Sequence, residues 1–303
     1  MKKCAYCGRE NDDRAGVCAG CGMEKFKAES RSASNPDPFL ISIFAWYRRA
    51  HRKRLLGEPF PDQWEGVLTR NVAHYSLLTE QQRDRLRNDL RILVTEKNWE
   101  GCDGLEMTEE IKVTIAAEAA LMLLGLEHDY FSQVLSVVVF PSEFEMLREE
   151  SYDEKEKYVA AGLAFYRGPV LLAWDQVVEE ARDPSTGRNL VIHEFAHQLD
   201  FLDGLVNGVP VLRDRQQTAQ WTQVMTEEFT RLCRDLRRGR ETFLGEHAGS
   251  NATEFFAAVS ERCGNRCLET SPVTWNWQPC VMVTQRSGQL RGTAVCIRHR
   301  DAG

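Results

Sequence analysis

The spacing of hydrophobic and polar residues in the middle of the chain predicts a mostly helical domain. A helical pattern follows Thr79 and continues to about Glu96, and a second follows Thr108 and continues through Leu124. A threonine at either place can accept a hydrogen bond from a free amide in the first helical turn. Both threonines are therefore predicted to cap the helices that follow them.

Two short apolar runs break this helical pattern. Residues 134–140 and 170–174 are rich in β-branched or aliphatic side chains and predict strands, the second preceded by a turn at residues 167–169. The chain shows no internal repeat. The pattern therefore predicts the α+β class, mostly helical with a small sheet.

Composition narrows the function more than it changes the fold. The 303 residues are 43% apolar and 27% charged, the net charge is −7 and the pI is about 5.6. This length can bury one large core beside a small module. The acidic balance argues against a general nucleic-acid binder, and the basic patch at residues 48–54 is interpreted as a solvated helix face.

The N-terminus and the longest apolar run favour a soluble cytoplasmic protein with no membrane partner. The first residues pass from two lysines into polar, cysteine-rich sequence, where a signal peptide would be apolar. The apolar run at residues 116–126 is interrupted by Glu118. It has about half the length that a membrane-spanning helix needs.

Four cysteines near the N-terminus have the spacing of a zinc ribbon: Cys4, Cys7, Cys18 and Cys21. Each pair encloses two residues and is followed by glycine, as in turns that direct two thiolates toward one ion. Four thiolates would hold a structural zinc ion tetrahedrally, and a module this short needs a metal for its stability. Disulfides, an iron site and redox chemistry are the alternatives.

These patterns divide the chain into four predicted segments. A zinc ribbon at residues 1–26 is followed by a small, polar, proline-containing linker at 27–38 and a main domain at 39–262. The tail at 263–303 has four cysteines, five arginines, no lysine and two acidic residues, and shows no sustained helical or strand periodicity.

The helical segment at residues 189–201 carries the candidate chemistry. His193 and His197 are four residues apart, so their imidazoles lie one helical turn from each other and can bind one zinc ion. Glu194 can then act as general base toward the attacking water. A surface helix with two ordinary histidines is the alternative. The apolar entry at residues 190–192 favours the metal, since it would bury both imidazoles.

Two aspartates follow the second histidine. Asp200 and Asp203 could accept the second ring N–H of a ligating histidine and fix its orientation. The alternative is that the helix simply ends here, with Gly204 as its stop.

A third metal ligand is needed, and the spacing leaves more than one candidate. Asp203 is at the distance used in metzincins, but the glycine that those sites place three residues after the second histidine is replaced by Asp200. A helix predicted at residues 253–261 offers Glu254 and Glu261, seven apart on one face. Each could instead be a solvated helix carboxylate.

Several longer motifs resemble the Mlc titration factor A family, a group of bacterial glucose-regulated zinc metallopeptidases. The resemblance spans about residues 39–262 and rests on WEGCDGLE at 99–106, IAA at 115–117, GPVLLAWD at 168–175, VIHEFAHQLD at 191–200 and NATEFFA at 251–257. Together these motifs are far more specific than the five-residue histidine motif.

The resemblance implies a zincin-like metallopeptidase of the gluzincin type. In that family His193, His197 and Glu254 would bind the catalytic zinc and Glu194 would act as base, which leaves Glu261 a supporting role. The family also implies an aminopeptidase-like activity on small peptides and binding of a glucose-responsive transcriptional repressor.

The chain departs from the family pattern at two places. The family usually has a tyrosine seven residues before the ligand glutamate, suited to stabilising the oxyanion, and this chain has His247. A protonated imidazole could donate the same hydrogen bond with shorter reach. The tail is the second departure, because the family continues as a helix. We interpret residues 263–303 as the product of a reading-frame change just after Glu261, or else as a disordered or metal-binding extension.

Three functional hypotheses follow. The first is peptide hydrolysis, in which the strand at residues 170–174 would pair with the substrate backbone by analogy with other zinc peptidases. The second is a regulatory protein that captures a transcriptional repressor or another partner with little turnover. The third, a nucleic-acid module built on the ribbon, fits the acidic balance worst.

Overall fold

The computed structural model describes residues 2–3, 10–12, 38–124, 126, 128–149, 155–212, 214–270, 280–284 and 292–296. The four N-terminal cysteines and almost all of the predicted linker lie outside these residues. The proposed zinc ribbon therefore stays a prediction.

Within the described ranges the helices are α1 (Pro38–Gly57), α2 (Asp62–Asn71), α3 (Glu80–Glu96), α4 (Glu109–Leu123), α5 (Trp174–Arg182), α6 (Leu190–Asp200), α7 (Arg215–Arg237) and α8 (Ala252–Thr270). The strands are β1 (Lys2–Lys3), β2 (Glu10–Asn11), β3 (Asn98–Gly101), β4 (Ser136–Phe140), β5 (Phe144–Glu149), β6 (Lys155–Ala160), β7 (Gly162–Ala164), β8 (Val170–Ala173), β9 (Cys280–Thr284) and β10 (Gly292–Cys296). The α+β class, mostly helical with a small sheet, is confirmed.

Both predicted N-caps are confirmed. Thr79 precedes α3, and its side chain accepts from the backbone N–H of Gln82, whose own side chain returns to the Thr79 amide as a capping box. Thr108 precedes α4 and accepts from the Ile111 amide at 3.3 Å. Side-chain oxygens thus bind amides that have no partner inside the helix.

The main sheet has four strands in the order β3-β4-β8-β7. The first three are parallel, and β7 pairs antiparallel with β8. A separate antiparallel ribbon is formed by β5 and β6. Trp174 begins α5, so the predicted strand at residues 170–174 ends one residue earlier, at Ala173.

The position of β8 makes one prediction wrong. Its backbone groups are occupied on both sides, by β4 and by β7, so the segment at residues 170–174 has no free edge for a substrate strand. In the four-stranded sheet the outer strand on this side is β7, which also packs against α6. The short, weakly apolar sequence of β7 gives little strand signal by itself.

Helix α4 runs through the centre of the core. All of its residues from position 113 to 123 are buried, and it packs against α2, α3, α5 and α6. Glu118 lies in the middle of this stretch and is 0% exposed. A helix that is apolar on every face is expected where neighbours cover all of its sides.

Helix α8 is longer than the predicted segment at residues 253–261, because it continues to Thr270. Residues 280–284 and 292–296, within the predicted tail, form the antiparallel pair β9–β10. The frame-change interpretation stays a prediction. Among the described helices, none combines the length and the apolar content needed to span a bilayer.

Candidate metal centre

The two histidines are carried by α6, whose start is fixed by Asn189. The Asn189 side-chain oxygen accepts from the Ile192 amide at 3.0 Å. One face of α6 is buried in the core through Val191, Ile192, Phe195, Ala196 and Leu199. The remaining face presents His193 and His197, whose ring centroids are 5.1 Å apart.

Helix α8 brings Glu254 to these two imidazoles. The side chain of Asn251 accepts from the Glu254 amide at 2.9 Å, which places Glu254 in the first turn. Its Oε2 lies 3.2 Å from His193 Nε2 and 3.6 Å from His197 Nε2. The candidate ligand atoms of the three residues all lie within 4.8 Å of one another.

Two of the three separations between these atoms match those expected around a tetrahedral metal ion. Bonds of 2.0–2.1 Å from zinc to nitrogen or oxygen place neighbouring ligand atoms about 3.4 Å apart. The two nitrogen–oxygen separations, 3.2 and 3.6 Å, bracket that distance. Two imidazoles and one carboxylate leave a fourth position open, as catalytic zinc sites do. The residues present therefore fit the metal.

The charges at the site are strongly coupled. Burial opposes the charged form of His193, but contacts with Glu254 and Glu261 outweigh it and raise its pKa to about 10. Burial also opposes the charged form of Glu254, yet the neighbouring imidazoles hold the pKa of this carboxyl well below its usual range. The carboxylate is thus ionised, as a metal ligand must be, whereas His193 would have to release its proton to bind a metal.

Glu194 is buried beside the two histidines and directly under β7. Only 5% of it is exposed, and burial raises its pKa although His193 and His197 favour the charged form. A Cβ at Gly162 of β7 would lie 2.5 Å from Glu194 Oε1, so the carboxylate would have to move to accommodate a side chain there. The absence of a side chain at Gly162 lets the strand pass directly over the carboxylate.

Glu261 contacts Nδ1 of His193, the ring nitrogen that faces away from Glu254. Its Oε2 lies 3.3 Å from His193 Nδ1, and its Oε1 accepts from the Asn189 amide at 2.8 Å. The structure therefore separates the two carboxylates that the spacing left open. Glu254 faces the Nε2 atoms, and Glu261 faces the opposite nitrogen of His193.

Comparison with known proteins gives this geometry a family. The family model described as glucose-regulated metallo-peptidase M90 matches residues 45–263. The chain belongs to this metallopeptidase family. It is 32% identical over 214 residues to an uncharacterized Synechocystis protein, covering 69% of this chain and 78% of that protein. It is 30% identical over 207 residues to Mlc titration factor A of Yersinia pestis and of Yersinia pseudotuberculosis, covering 66% of this chain and 74% of each relative.

Membership in the M90 family implies a metal, typically zinc, and peptide substrates. The matched region ends at residue 263, within α8. It contains His193, Glu194, His197, His247 and Glu254. The roles of these individual residues remain proposals.

His247, at the position where the family resemblance implied a tyrosine, lies beside the candidate metal centre. Its side chain is 73% exposed, and its Nε2 is 2.9 Å from Glu254 Oε2. The hydrogen bond to Glu254 is the largest of the effects that raise its pKa. In this arrangement His247 contacts the carboxylate and remains accessible from outside.

The two aspartates after the histidines accept hydrogen bonds from backbone amides of the loop that follows α6. Asp200 is buried and accepts from the amides of Asn207 and Val209, at 3.3 and 3.0 Å. Asp203 accepts from the Leu205 amide at 2.8 Å. Among the described residues, His197 Nδ1 has no hydrogen-bond partner. The geometry thus favours the second interpretation of these aspartates, the end of the helix.

Sequence reasoning missed two residues that shape the site. Gly162 lies in β7, and only the contact with Glu194 reveals why a glycine is there. Asn189 gave a clearer signal, because an asparagine directly before a predicted helix is a typical N-cap. The predicted ribbon ligands lie outside the described residues, so the structural zinc remains a proposal as well.

Proposed function

We propose that this protein is a zinc-dependent peptidase whose zinc ion is held by His193, His197 and Glu254. One observation supports this most, namely that the three candidate ligand atoms lie within 4.8 Å of one another. When bound, a zinc ion with three protein ligands supplies a Lewis acid and an acidified water. Membership in a metallopeptidase family supports the same reaction class.

Glu194 is proposed as the general base. It follows the first histidine on the same helix and is buried next to both imidazoles. A carboxylate with a raised pKa takes a proton from water more readily than an exposed one. Glu194 would accept this proton as water attacks the peptide carbonyl and then return it to the leaving amine.

Substrate is proposed to align along β7. Among the described strands, β7 pairs with β8 alone, and it passes over Glu194 at Gly162. Its outer backbone groups could pair with an extended peptide and bring the scissile carbonyl to the metal. The proposed aminopeptidase-like character rests on the family resemblance.

His247 is proposed to assist at the oxyanion. Its exposed imidazole is already hydrogen-bonded to Glu254 at the open side of the centre. A raised pKa keeps the imidazole protonated at higher pH, so it could donate a hydrogen bond to a developing negative charge.

Glu194→Gln tests the mechanism. We expect peptide hydrolysis to fall about 10²- to 10⁴-fold, because the proton acceptor is removed. Zinc content should stay near that of the wild type, with two ions per chain if the ribbon cysteines also bind zinc. Glu227→Gln, an exposed carboxylate on α7, is the matched control and should keep full activity. Unchanged hydrolysis in Glu194→Gln would contradict the proposal.

A second candidate function is supported by the name of the Yersinia relatives, Mlc titration factor A. It is a regulatory protein that captures a transcriptional repressor with little turnover. Glu194→Gln separates the two functions. If Glu194→Gln abolishes hydrolysis but still relieves repression by the captured repressor, the binding function is favoured. If the relief of repression disappears with hydrolysis, the enzyme is favoured.

A further inference from the structure

A buried acid in the core connects to the metal centre through hydrogen bonds. Glu118 is 0% exposed in the middle of α4, and its Oε2 accepts from the side-chain Nδ2 of Asn189 at 2.7 Å. Among the described residues its other oxygen, Oε1, has no hydrogen-bond partner. Placing a carboxyl group here is unfavourable in the absence of compensating contacts, so the bond to Asn189 is its main stabilising contact.

Asn189 uses all four of its polar groups at the start of α6. Its Nδ2 donates to Glu118, and its Oδ1 accepts from the Ile192 amide at 3.0 Å. Its backbone oxygen accepts from the His193 amide at 2.9 Å, and its backbone N–H donates to Glu261 at 2.8 Å. The bond that Nδ2 donates to Glu118 therefore sets which way the side-chain amide of Asn189 faces.

Glu261 connects this arrangement to the first histidine. One carboxylate oxygen binds the Asn189 amide, and the other lies 3.3 Å from His193 Nδ1. A shift of Asn189 would move the amide that holds the first oxygen. The second oxygen would then lose its position beside the imidazole.

We propose that Glu118 is a positioning residue for the metal, acting through Asn189 and Glu261 on the ring of His193. The inference rests on the proposed function, because it assumes that His193 binds the metal. Such outer contacts fix the tautomer and direction of a ligating histidine, and their loss commonly weakens metal binding about 10- to 100-fold.

The protonation state of Glu118 decides which substitution should leave zinc binding unchanged. Burial is the largest cause that raises its pKa, to about 8, with Glu180 adding to the effect and Asn189 opposing it. The group is therefore mostly uncharged at pH 7. Glutamine has the same shape and charge as this acid and keeps an oxygen that can accept from Asn189.

Glu118→Met and Glu118→Gln test the proposal by zinc affinity, measured by chelator competition on the ion that is lost in His193→Ala. Methionine fills a similar volume but cannot accept the hydrogen bond. We expect zinc to bind about tenfold more weakly in Glu118→Met and within about twofold of wild type in Glu118→Gln.

A matched control distinguishes this relay from general damage to the start of α6. Glu180 is a charge neighbour of Glu118 and Glu261, but its hydrogen bond is to the Leu190 amide at 2.7 Å, outside the hydrogen bonds that join Glu118, Asn189 and Glu261. Glu180→Met should lower the unfolding temperature of the metal-free protein but change zinc affinity less than about twofold. An equal loss of affinity in Glu180→Met would overturn the relay.

A second variant approaches the same bond from the other side. Asn189→Ser keeps a capping oxygen for the Ile192 amide but removes the donor to Glu118, so we expect the same tenfold loss. It serves as the test if Glu118→Met does not fold. Wild-type zinc affinity in folded Glu118→Met or folded Asn189→Ser would overturn the positioning role of Glu118 but not the proposed function. A wild-type protein that binds no zinc through His193 overturns the proposed function itself.

Discussion

The two histidines of α6 have different surroundings. His193 Nδ1 lies 3.3 Å from a carboxylate oxygen of Glu261, which is itself held by a backbone amide. His197 Nδ1 is buried, and in the described part of the chain it has no hydrogen-bond partner. Its ring lies nearly parallel to that of Phe201, at 17°, with centroids 6.2 Å apart.

This difference suggests that the two ends of α6 are fixed by different forces. At the start of the helix, hydrogen bonds from Asn189 and Glu261 determine where the first imidazole points. At its end, the second imidazole is held by packing, and the nearby Asp200 instead holds the loop amides of Asn207 and Val209. Substitutions of polar neighbours should therefore weaken zinc binding through His193. Substitutions that change the packing should weaken zinc binding through His197.

Gly162→Ala should have the largest effect while changing neither imidazole. The new methyl group would meet Glu194 Oε1 at 2.5 Å and Leu190 Cδ1 at 2.7 Å, so the proposed base must shift. We expect hydrolysis to fall about 100-fold, the loss expected for a misplacement of about 1 Å, with little change in zinc affinity.

A second glycine provides the control for this variant. Gly66 of α2 has open space around it, and Gly66→Ala should keep full activity. Steady-state hydrolysis and zinc affinity are measured on both variants. If Gly162→Ala loses zinc as strongly as activity, the base and the two imidazoles move as one unit and their surroundings are not independent.

Glu261→Gln should have the next largest effect. It changes only the start of α6, the polar end, where hydrogen bonds hold His193. The glutamine oxygen can still accept from the Asn189 amide, but its NH₂ group cannot accept the hydrogen bond that His193 Nδ1–H donates. We expect zinc affinity, measured by chelator competition, to fall about 10- to 100-fold. Asp203→Asn is the control, since Asp203 contacts the Leu205 amide. Unchanged affinity in Glu261→Gln would show that the polar end needs no such partner.

Much of the fold could be predicted from local sequence, because helix starts depend on neighbouring residues. Thr79 and Thr108 cap α3 and α4 where the pattern placed them. The strand order could not be predicted in this way. Residues 170–174 have strong β-propensity, but only the pairing with β4 and β7 shows that this strand is interior.

The site shows the same limit. The helical spacing brings His193 and His197 together, but spacing alone left Glu254 and Glu261 equivalent, because residues seven apart share one face. Only the family resemblance implied Glu254 as the ligand. Helix packing separates them, since α8 crosses α6 so that one carboxylate faces Nε2 and the other Nδ1. Glu118 looked only like an interruption of an apolar run, and its bond to Asn189 depends on the contact between α4 and α6.

Phe201→Leu should have the smallest effect and acts on the packed end of α6. Leucine keeps an apolar side chain but removes the ring beside His197 and the edge-to-face contact with Tyr166, whose centroid is 5.6 Å away. Aromatic pairs of this kind contribute about 0.5–1.5 kcal/mol, so we expect zinc affinity to fall about threefold. Phe201→Tyr keeps the ring and should bind zinc within about twofold of wild type. A loss in Phe201→Leu as large as that in Glu261→Gln would mean that packing fixes a histidine as firmly as a carboxylate does, and the contrast between the two ends would disappear.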